Sequence, residues 1–480
     1  MLKDLIKEGG LYTIANLLTK GVSLLLIPFY SDYFTTAEYG ILSVLSIAGA
    51  LAAAIFSFQI YQGVGRFISD KSTSFVAQQR IGSSGLFFTI ISYAVFTIIA
   101  LLFKDQAIDY ISEEERIQDS TYYWCLSTIG LNGVFYTLGV QLKFLRKIKV
   151  YSITSFAHAL LNILLILLFA LGLNYRIDSI FMASFIVSPI MIIVQLFYLR
   201  KYIICYIGKK EIKRLFRYSA PLIPAAIAYL ILNFTDRLFI KDLNNSLSDV
   251  GIYDMGYKFS AIVSIIIFAF QSALVPIVFE KHRDKNTPVE LGRIMRLYLG
   301  IGSLGILALS AFSFETLYIF TQEQYFGAAT LMPLFYLSVF FTGLGMFSPG
   351  IQIKQKTYLI PIIVIFSGLV NVGLNLWLIP ILGLFGAALA TFISTLLNQV
   401  IFFWISQKLY RINYVLYKMI LVALVFSGFF IITSYLQPII QLNYQFEIIL
   451  KVILIAVYGY FLFKIKFIGF DQIKERFLSS

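Results

Sequence analysis

Two histidines, two cysteines and 25 acidic residues are all that 480 positions supply. Each scarcity closes a class of function. His158 and His282, with Cys125 and Cys205, offer no Cys/His ligand spacing, so no metal site is expected. No nucleophile elbow and no phosphate-cradling glycine loop occurs. No polar stretch is long enough to hold a soluble catalytic domain. An enzyme is therefore not expected, nor a bound cofactor, nor ATP-driven pumping by this chain alone. Cys125 falls in an apolar segment near one side and Cys205 in a loop on the other, too far apart for a disulfide.

What is abundant is apolar surface. The chain is 59% hydrophobic and only 13% charged, with a mean hydropathy of +0.83. A soluble domain could not bury that much. A hydrocarbon core needs about 20 apolar residues per helical crossing. Fourteen segments meet that length: 11–33, 40–65, 82–103, 120–142, 152–171, 179–199, 218–240, 251–279, 297–319, 327–350, 358–378, 384–405, 415–435 and 446–463. The first is too long for a cleavable leader and lacks an Ala-x-Ala exit. Leu2, Leu5 and Ile6 beside Lys3 and Lys7 read either as an interfacial helix or as a frayed end. The same holds for Phe470, Ile473 and Phe477 beside Lys474 and Arg476.

The formal charge of +13 could suggest nucleic acid. The placement of the cations argues for a membrane rim instead. Lys104, Arg116, Arg176 and Lys241 fall in one set of breaks between apolar segments, and Lys20, Arg237, Lys258 and Lys451 fall within segments. The other thirty of the 38 Lys and Arg lie in the alternate breaks or at the termini. Cytoplasmic loops keep basic residues, so both termini are expected to be cytoplasmic. The longest outer loop, 104–119, is acidic, which is compatible but adds little.

An internal repeat runs at a lag near 210. Lys147-x-Lys149-x-Tyr151 recurs as Lys354-x-Lys356-x-Tyr358. Each opens a segment carrying Asn162 or Asn371, and Gly172 and Gly383 follow. Glu38-Tyr39-Gly40 and Asp249-Val250-Gly251 each start a segment containing Phe-Gln, at Phe58-Gln59 and Phe270-Gln271. Six segments make one copy. Six is even, so the copies share an orientation. The expected organisation is all-α and membrane-embedded: one six-helix lobe over 1–200, another over 201–406, and two additional helices with a cytoplasmic tail over 407–480.

Ionisable residues at membrane depth are costly against lipid and should face a partner or a wet cavity. Asn16, Lys20 and Ser23 share one helical face. Asn233, Asp236 and Arg237 do the same in the repeat mate. Lys258 lies early in the eighth segment. Arg66 closes the second on the face of Gln59 and Gln62, and Asn371 and Asn375 pair in the eleventh. Bland readings stand beside these. Asp236 with Arg237 or Lys258 makes a structural ion pair, Arg66 and Lys451 snorkel to headgroups, and the asparagines bond helix to helix. The surplus of Lys20, Arg66, Arg237 and Lys258 over Asp236 favours an anion. Asn16, Gln59, Asn233, Asn371 and Asn375 are candidate polar lining of the same groove, expected where the two similar halves meet. Pro28, Pro189, Pro221, Pro224, Pro276, Pro333, Pro349 and Pro361 are expected to interrupt helices around it.

Ala37-Glu38-Tyr39-Gly40, Gly63-x-Gly65-Arg66-Phe67, Thr235-Asp236-Arg237-Leu238-Phe239-Ile240 and Gly251-Ile252-Tyr253 with Tyr257-Lys258 appear in order on this ladder. With them the chain resembles the Wzx-type polysaccharide repeat-unit (O-antigen) flippases of the multidrug/oligosaccharidyl-lipid/polysaccharide exporter (MOP) superfamily. The resemblance implies a MATE-like fold with alternating access. It implies transfer of a polyprenyl-diphosphate-linked oligosaccharide between leaflets of a bacterial inner membrane, for surface polysaccharide, with the polymerase machinery as a candidate partner. It places Lys20, Arg66, Arg237 and Lys258 on the diphosphate or acidic sugars. Coupling stays open between a proton or sodium gradient acting through Asp236 and passive movement. Two alternatives remain: a cation-coupled drug exporter of the same superfamily, and a membrane-embedded glycan polymerase or ligase.

Overall fold

The computed structural model describes residues 21, 24–70, 73–111, 117–244, 246–436 and 443–467. Asn16, Lys20, both terminal amphipathic stretches and most of the first apolar segment lie outside the described residues. Within them the chain is helical and has no strand. Twelve helices are long and apolar enough to cross a membrane. One of these, Leu359–Leu409, has 51 residues. At about 1.5 Å per residue that is more than twice a hydrocarbon core of about 30 Å. Gly383 breaks it, with φ 56 and ψ −135, a conformation essentially reserved for glycine. The segments expected at 358–378 and 384–405 are its two arms. A Cβ on Gly386 would lie 2.3 Å from the Leu378 carbonyl oxygen, which shows how tightly the chain passes there.

The chain forms two compact units, Met1–Asp254 and Met255–Ser480. In the first, the Asp119–Phe144 helix packs on Asp178–Leu199 and on Phe75–Leu102. Small residues and hydrogen bonds hold these helices, because apolar burial drives little association in lipid. The Gln141 amide donates to the Gly82 carbonyl at 3.0 Å. Gly139 lies against Tyr151, where a Cβ would meet the ring at 3.3 Å. Thr35 caps the Thr36–Phe56 helix, with Glu38 completing a capping box. Three of the sparse cations of one set of loops have an acid, Lys104 with Asp119, Arg176 with Glu38 and Lys241 with Asp242, while Arg116 lies outside the described residues.

Two segments in this unit that are repeat mates in sequence cross backbone to backbone. A Cβ on Gly40 would lie 1.9 Å from the Leu247 carbonyl oxygen, and one on Gly251 would lie 2.0 Å from that of Thr36. The Thr36 and Ser248 hydroxyls are hydrogen-bonded at 2.6 Å. Only glycine permits that approach.

In the second unit, Met332–Ile353 is the most enclosed of the apolar helices. Tyr298 stacks on Phe340 and donates its hydroxyl to the Phe340 carbonyl at 2.7 Å. Lys451, expected to snorkel, is instead buried, 2.5 Å from Glu315 and 2.9 Å from Glu447. The Glu315 partner is 136 residues away in sequence, so local spacing could not reveal it.

The repeat is visible in the backbone. Arg146 (φ 59) and Gln355 (φ 56) both end helices in the left-handed conformation. The following amides reach back alike, Lys147 to Leu142 and Lys356 to Ile351, each at 2.9 Å. Asn174 (φ 57) and Gly383 (φ 56) are positive-φ residues at corresponding places in the two copies. The structural lag here is 209, as for Asn162 and Asn371, so Lys147 corresponds to Lys356 rather than to Lys354.

Several of the expected proline breaks are present and others are not: Pro221 lies in the short 3-10 turn Ala220–Leu222 ahead of the Ile223–Asn244 helix, and Pro349 lies between the Gly343–Phe347 turn and Gly350–Ile353. Pro189 and Pro276 lie inside continuous helices. Pro28 and Pro333 occupy first turns, where the missing N–H costs nothing. The second apolar segment breaks instead at Phe58 and Gln59, with φ 46 and 52. Its repeat mate, Phe270-Gln271, stays inside the unbroken Ala261–Lys281 helix.

Candidate functional site

The break at Phe58-Gln59 opens onto a cavity of about 670 Å³ within the first unit. Irregular backbone at membrane depth is tolerated where it is buried in protein or lines a wet space. Ser57, Gln59 and Tyr61 bring the broken segment to the wall, and Tyr93, Asn132 and Tyr136 face it from neighbouring helices. The freed groups are satisfied locally. Ser92 donates to the Phe56 carbonyl, the Gln59 amide donates to Ser57 Oγ at 3.1 Å, and the Tyr61 hydroxyl donates to Gln59 Oε1 at 2.6 Å.

Small residues make the space. Gly49, Ala50, Ala53 and Ala54 line it from the Thr36–Phe56 helix. Gly133 lets the Tyr93 ring lie against the Asp119–Phe144 helix, since a Cβ there would stand 2.2 Å from the ring. Tyr61 and Tyr136 meet edge to face at 4.9 Å. A polar relay supports the wall from behind. Ser188 donates to Asn132 Oδ1 at 2.8 Å and lies 3.0 Å from His158 Nε2. His158 stacks on Phe135 at 4.4 Å, and Asn162 bonds back to the His158 carbonyl. No charged side chain is among the described residues lining the cavity.

Of the sequence candidates, Gln59 lines this cavity. Asn233, Asp236 and Arg237 lie together on the Ile223–Asn244 helix, with Tyr253 and Asp254 opposite. Arg237 is buried. It donates Nε–H to Asp254 at 3.0 Å and Nη1–H to the Asn233 carbonyl at 2.8 Å. Tyr253 donates to the buried Asp236 carboxylate at 2.6 Å. Asp254 was not among the expected residues. Among the described residues, then, Arg237 is paired with Asp254, and the Asp236 carboxylate is held by Tyr253. The Asn233 amide turns back to the Tyr229 carbonyl at 2.7 Å.

Arg66 is exposed and lies 3.9 Å from Asp70, just past the end of the Ile60–Ile68 helix. Lys258 is half-buried in the second unit, where Asn371 and Asn375 are fully buried and bonded at 3.0 Å. The Ser367–Asn398 contact there, at 3.1 Å, stands near the repeat positions of His158 and Ser188. No group of three or more His, Cys, Asp or Glu able to hold a metal ion is found among the described residues. The cavity itself was missed in sequence. Its one signal was the low-volume run Gly49-Ala50-Leu51-Ala52-Ala53-Ala54, with hydroxyl and amide residues on neighbouring segments.

This helical ladder is a multi-pass membrane protein with the fold of MOP-superfamily transporters. A lipid II flippase MurJ in an inward closed conformation superposes with TM-score 0.69 at 13% identity, covering 95% of this chain and 99% of that one. An inward-facing multidrug resistance MATE family transporter gives 0.64 at 12%, covering 83% and 94%. The Vibrio cholerae MATE transporter VcmN in its bent form gives 0.56 at 15%, covering 85% and 98%. No curated protein matches the chain in sequence. The family model described as polysaccharide biosynthesis protein matches residues 5–282, more than half of the chain, and the chain belongs to that family.

Proposed function

We propose that the chain carries polyprenyl-diphosphate-linked oligosaccharides from the cytoplasmic to the outer leaflet of a bacterial inner membrane, with both termini cytoplasmic, by alternating access. It acts as a carrier and catalyses no bond change. The observation that carries this reading is a sizeable cavity, with hydroxyls, amides and tyrosines set among small and apolar residues, in a polysaccharide-biosynthesis family member. A sugar headgroup loses roughly 2 kcal/mol or more for each hydroxyl left unbonded in hydrocarbon, and an unpaired diphosphate loses far more. A polar site replaces the lost water while the polyprenyl tail stays in lipid.

The likeness to a lipid II flippase supports a lipid-linked substrate. Lys20, Arg66 and Lys258 remain the candidates for the diphosphate. Arg237 joins them only if Asp254 releases it during the cycle. Asp236 is the carboxylate to test for ion coupling. Cells lacking the chain should accumulate lipid-linked repeat units on the cytoplasmic leaflet and lose surface glycan. Normal intermediates with altered sensitivity to cationic dyes would favour a drug exporter instead.

A further inference from the structure

Resting on that reading, we propose that the first-unit cavity is the sugar subsite, and that it selects uncharged pyranose units, hexoses and N-acetylhexosamines, over sugar acids and over the diphosphate. The chemistry of the wall makes the choice. Among small and apolar residues it offers hydroxyls, the amides of Gln59 and Asn132, and four tyrosines, with no cation among its described residues. A carboxylate or phosphate entering it would give up water and find no opposite charge among these described lining residues. A neutral sugar loses only hydroxyl hydration, which these donors and acceptors restore.

Tyrosine suits both sides of a pyranose. The ring face packs on the sugar's C–H face, and the phenol reaches a hydroxyl. Tyr136 and Tyr229 present large open surfaces, while Tyr61 is held at the wall by its bond to Gln59 and its edge contact with Tyr136. Asn132 is preset: Oδ1 is fixed by Ser188, and Nδ2 lies a long 3.3 Å from Ser184. That long bond leaves the amide able to turn toward a sugar hydroxyl. The volume suits a short saccharide, within the range of about 300–1,000 Å³ usual for small-ligand sites.

The test uses the purified full-length chain in nanodiscs and saturation-transfer NMR, which reads weak contact to sugar C–H protons without requiring transport. The probes are neutral N,N′-diacetylchitobiose and acidic digalacturonate. The neutral disaccharide should give at least fivefold more transfer than the acid. Tyr136→Ala, at an exposed position, should abolish the difference, and Asn132→Asp should weaken neutral binding. Asn132→Lys should turn the preference toward digalacturonate. Equal transfer from both sugars, or a preference unmoved by Tyr136→Ala and Asn132→Asp, overturns the proposal even if Asn132→Lys fails to fold. A parallel assay follows undecaprenyl-diphosphate-linked neutral oligosaccharide in proteoliposomes. Sugar discrimination without flipping would sink the carrier reading and leave the subsite. Flipping without discrimination would do the reverse.

Discussion

Gly40 and Gly251 each lie over the carbonyl four residues before the other, Leu247 for Gly40 and Thr36 for Gly251. The two glycines are also repeat mates in sequence, so a motif and its copy make one local twofold crossing. Any side chain at either position enters a carbonyl oxygen at about 2 Å, well inside contact distance.

The crossing can be read directly by cross-linking. Thr36 and Ser248 hydroxyls are 2.6 Å apart, so a Thr36→Cys/Ser248→Cys pair should oxidise readily in a Cys205→Ser background, Cys125 being buried. Adding Gly40→Leu should cut the cross-linked fraction severalfold. Under the carrier reading the locked pair should stop surface-glycan assembly, and reductant should restore it. An undiminished cross-link in the Gly40→Leu chain would show that the crossing tolerates bulk and is not what holds these segments together.

Lys451 is the second case. Its ammonium faces Glu315 and Glu447 in a buried setting. Removing one partner of such a cluster leaves uncompensated charge, at a cost of about 3–5 kcal/mol. Lys451→Ala should therefore lower thermal stability in detergent clearly, and it cannot serve as a silent control for cavity substitutions. Lys451→Ala/Glu315→Gln should recover part of the loss. A melting temperature unchanged in the single variant would mean that water reaches the cluster.

Much of the ladder was legible because span length and hydropathy are local properties. The segments expected at 120–142, 179–199 and 415–435 match helices at Asp119–Phe144, Asp178–Leu199 and Leu416–Ile431 with its continuation to Leu436. Partnership was less legible because it depends on which helices meet. Arg237 is met by Asp254 from the next helix, Leu247–Phe259. Proline placement was a partial guide: Pro221 and Pro349 mark interruptions, while Pro189 and Pro276 sit in unbroken helices, because a lipid-embedded helix tolerates a missing bond when its neighbours compensate. The break that shapes the cavity falls at Phe58-Gln59, which contains neither proline nor glycine, so composition gave no sign of it.

The Arg237–Asp254 pair separates structure from transport. Arg237 is nearly inaccessible and also lies over the Phe234 and Tyr253 rings, at 5.5 and 5.3 Å. Asp254→Ala should strip its counter-charge and reduce folded protein in the membrane. Arg237→Met with Asp254→Asn keeps volume and removes both charges of the pair, so it should fold better than Asp254→Ala alone. If that double variant folds and still supports surface glycan, the pair is scaffolding and the diphosphate is held elsewhere. If it folds and fails, Arg237 takes part in the cycle.

Gly383 isolates a backbone requirement. A Cβ there would meet nothing within 4 Å, so space is not limiting. The conformation is limiting: φ 56 with ψ −135 is open to glycine and strained for any L side chain, by about 1–3 kcal/mol. Gly383→Ala should therefore destabilise by that order without a steric clash, and the loss should be the same for Gly383→Ser. Gly386→Ala nearby meets the Leu378 carbonyl at 2.3 Å and should cost more. Thermal melts of the three variants in one detergent would check the order. A Gly383→Ala chain as stable as the parent would mean that Leu359–Leu409 does not turn at this residue.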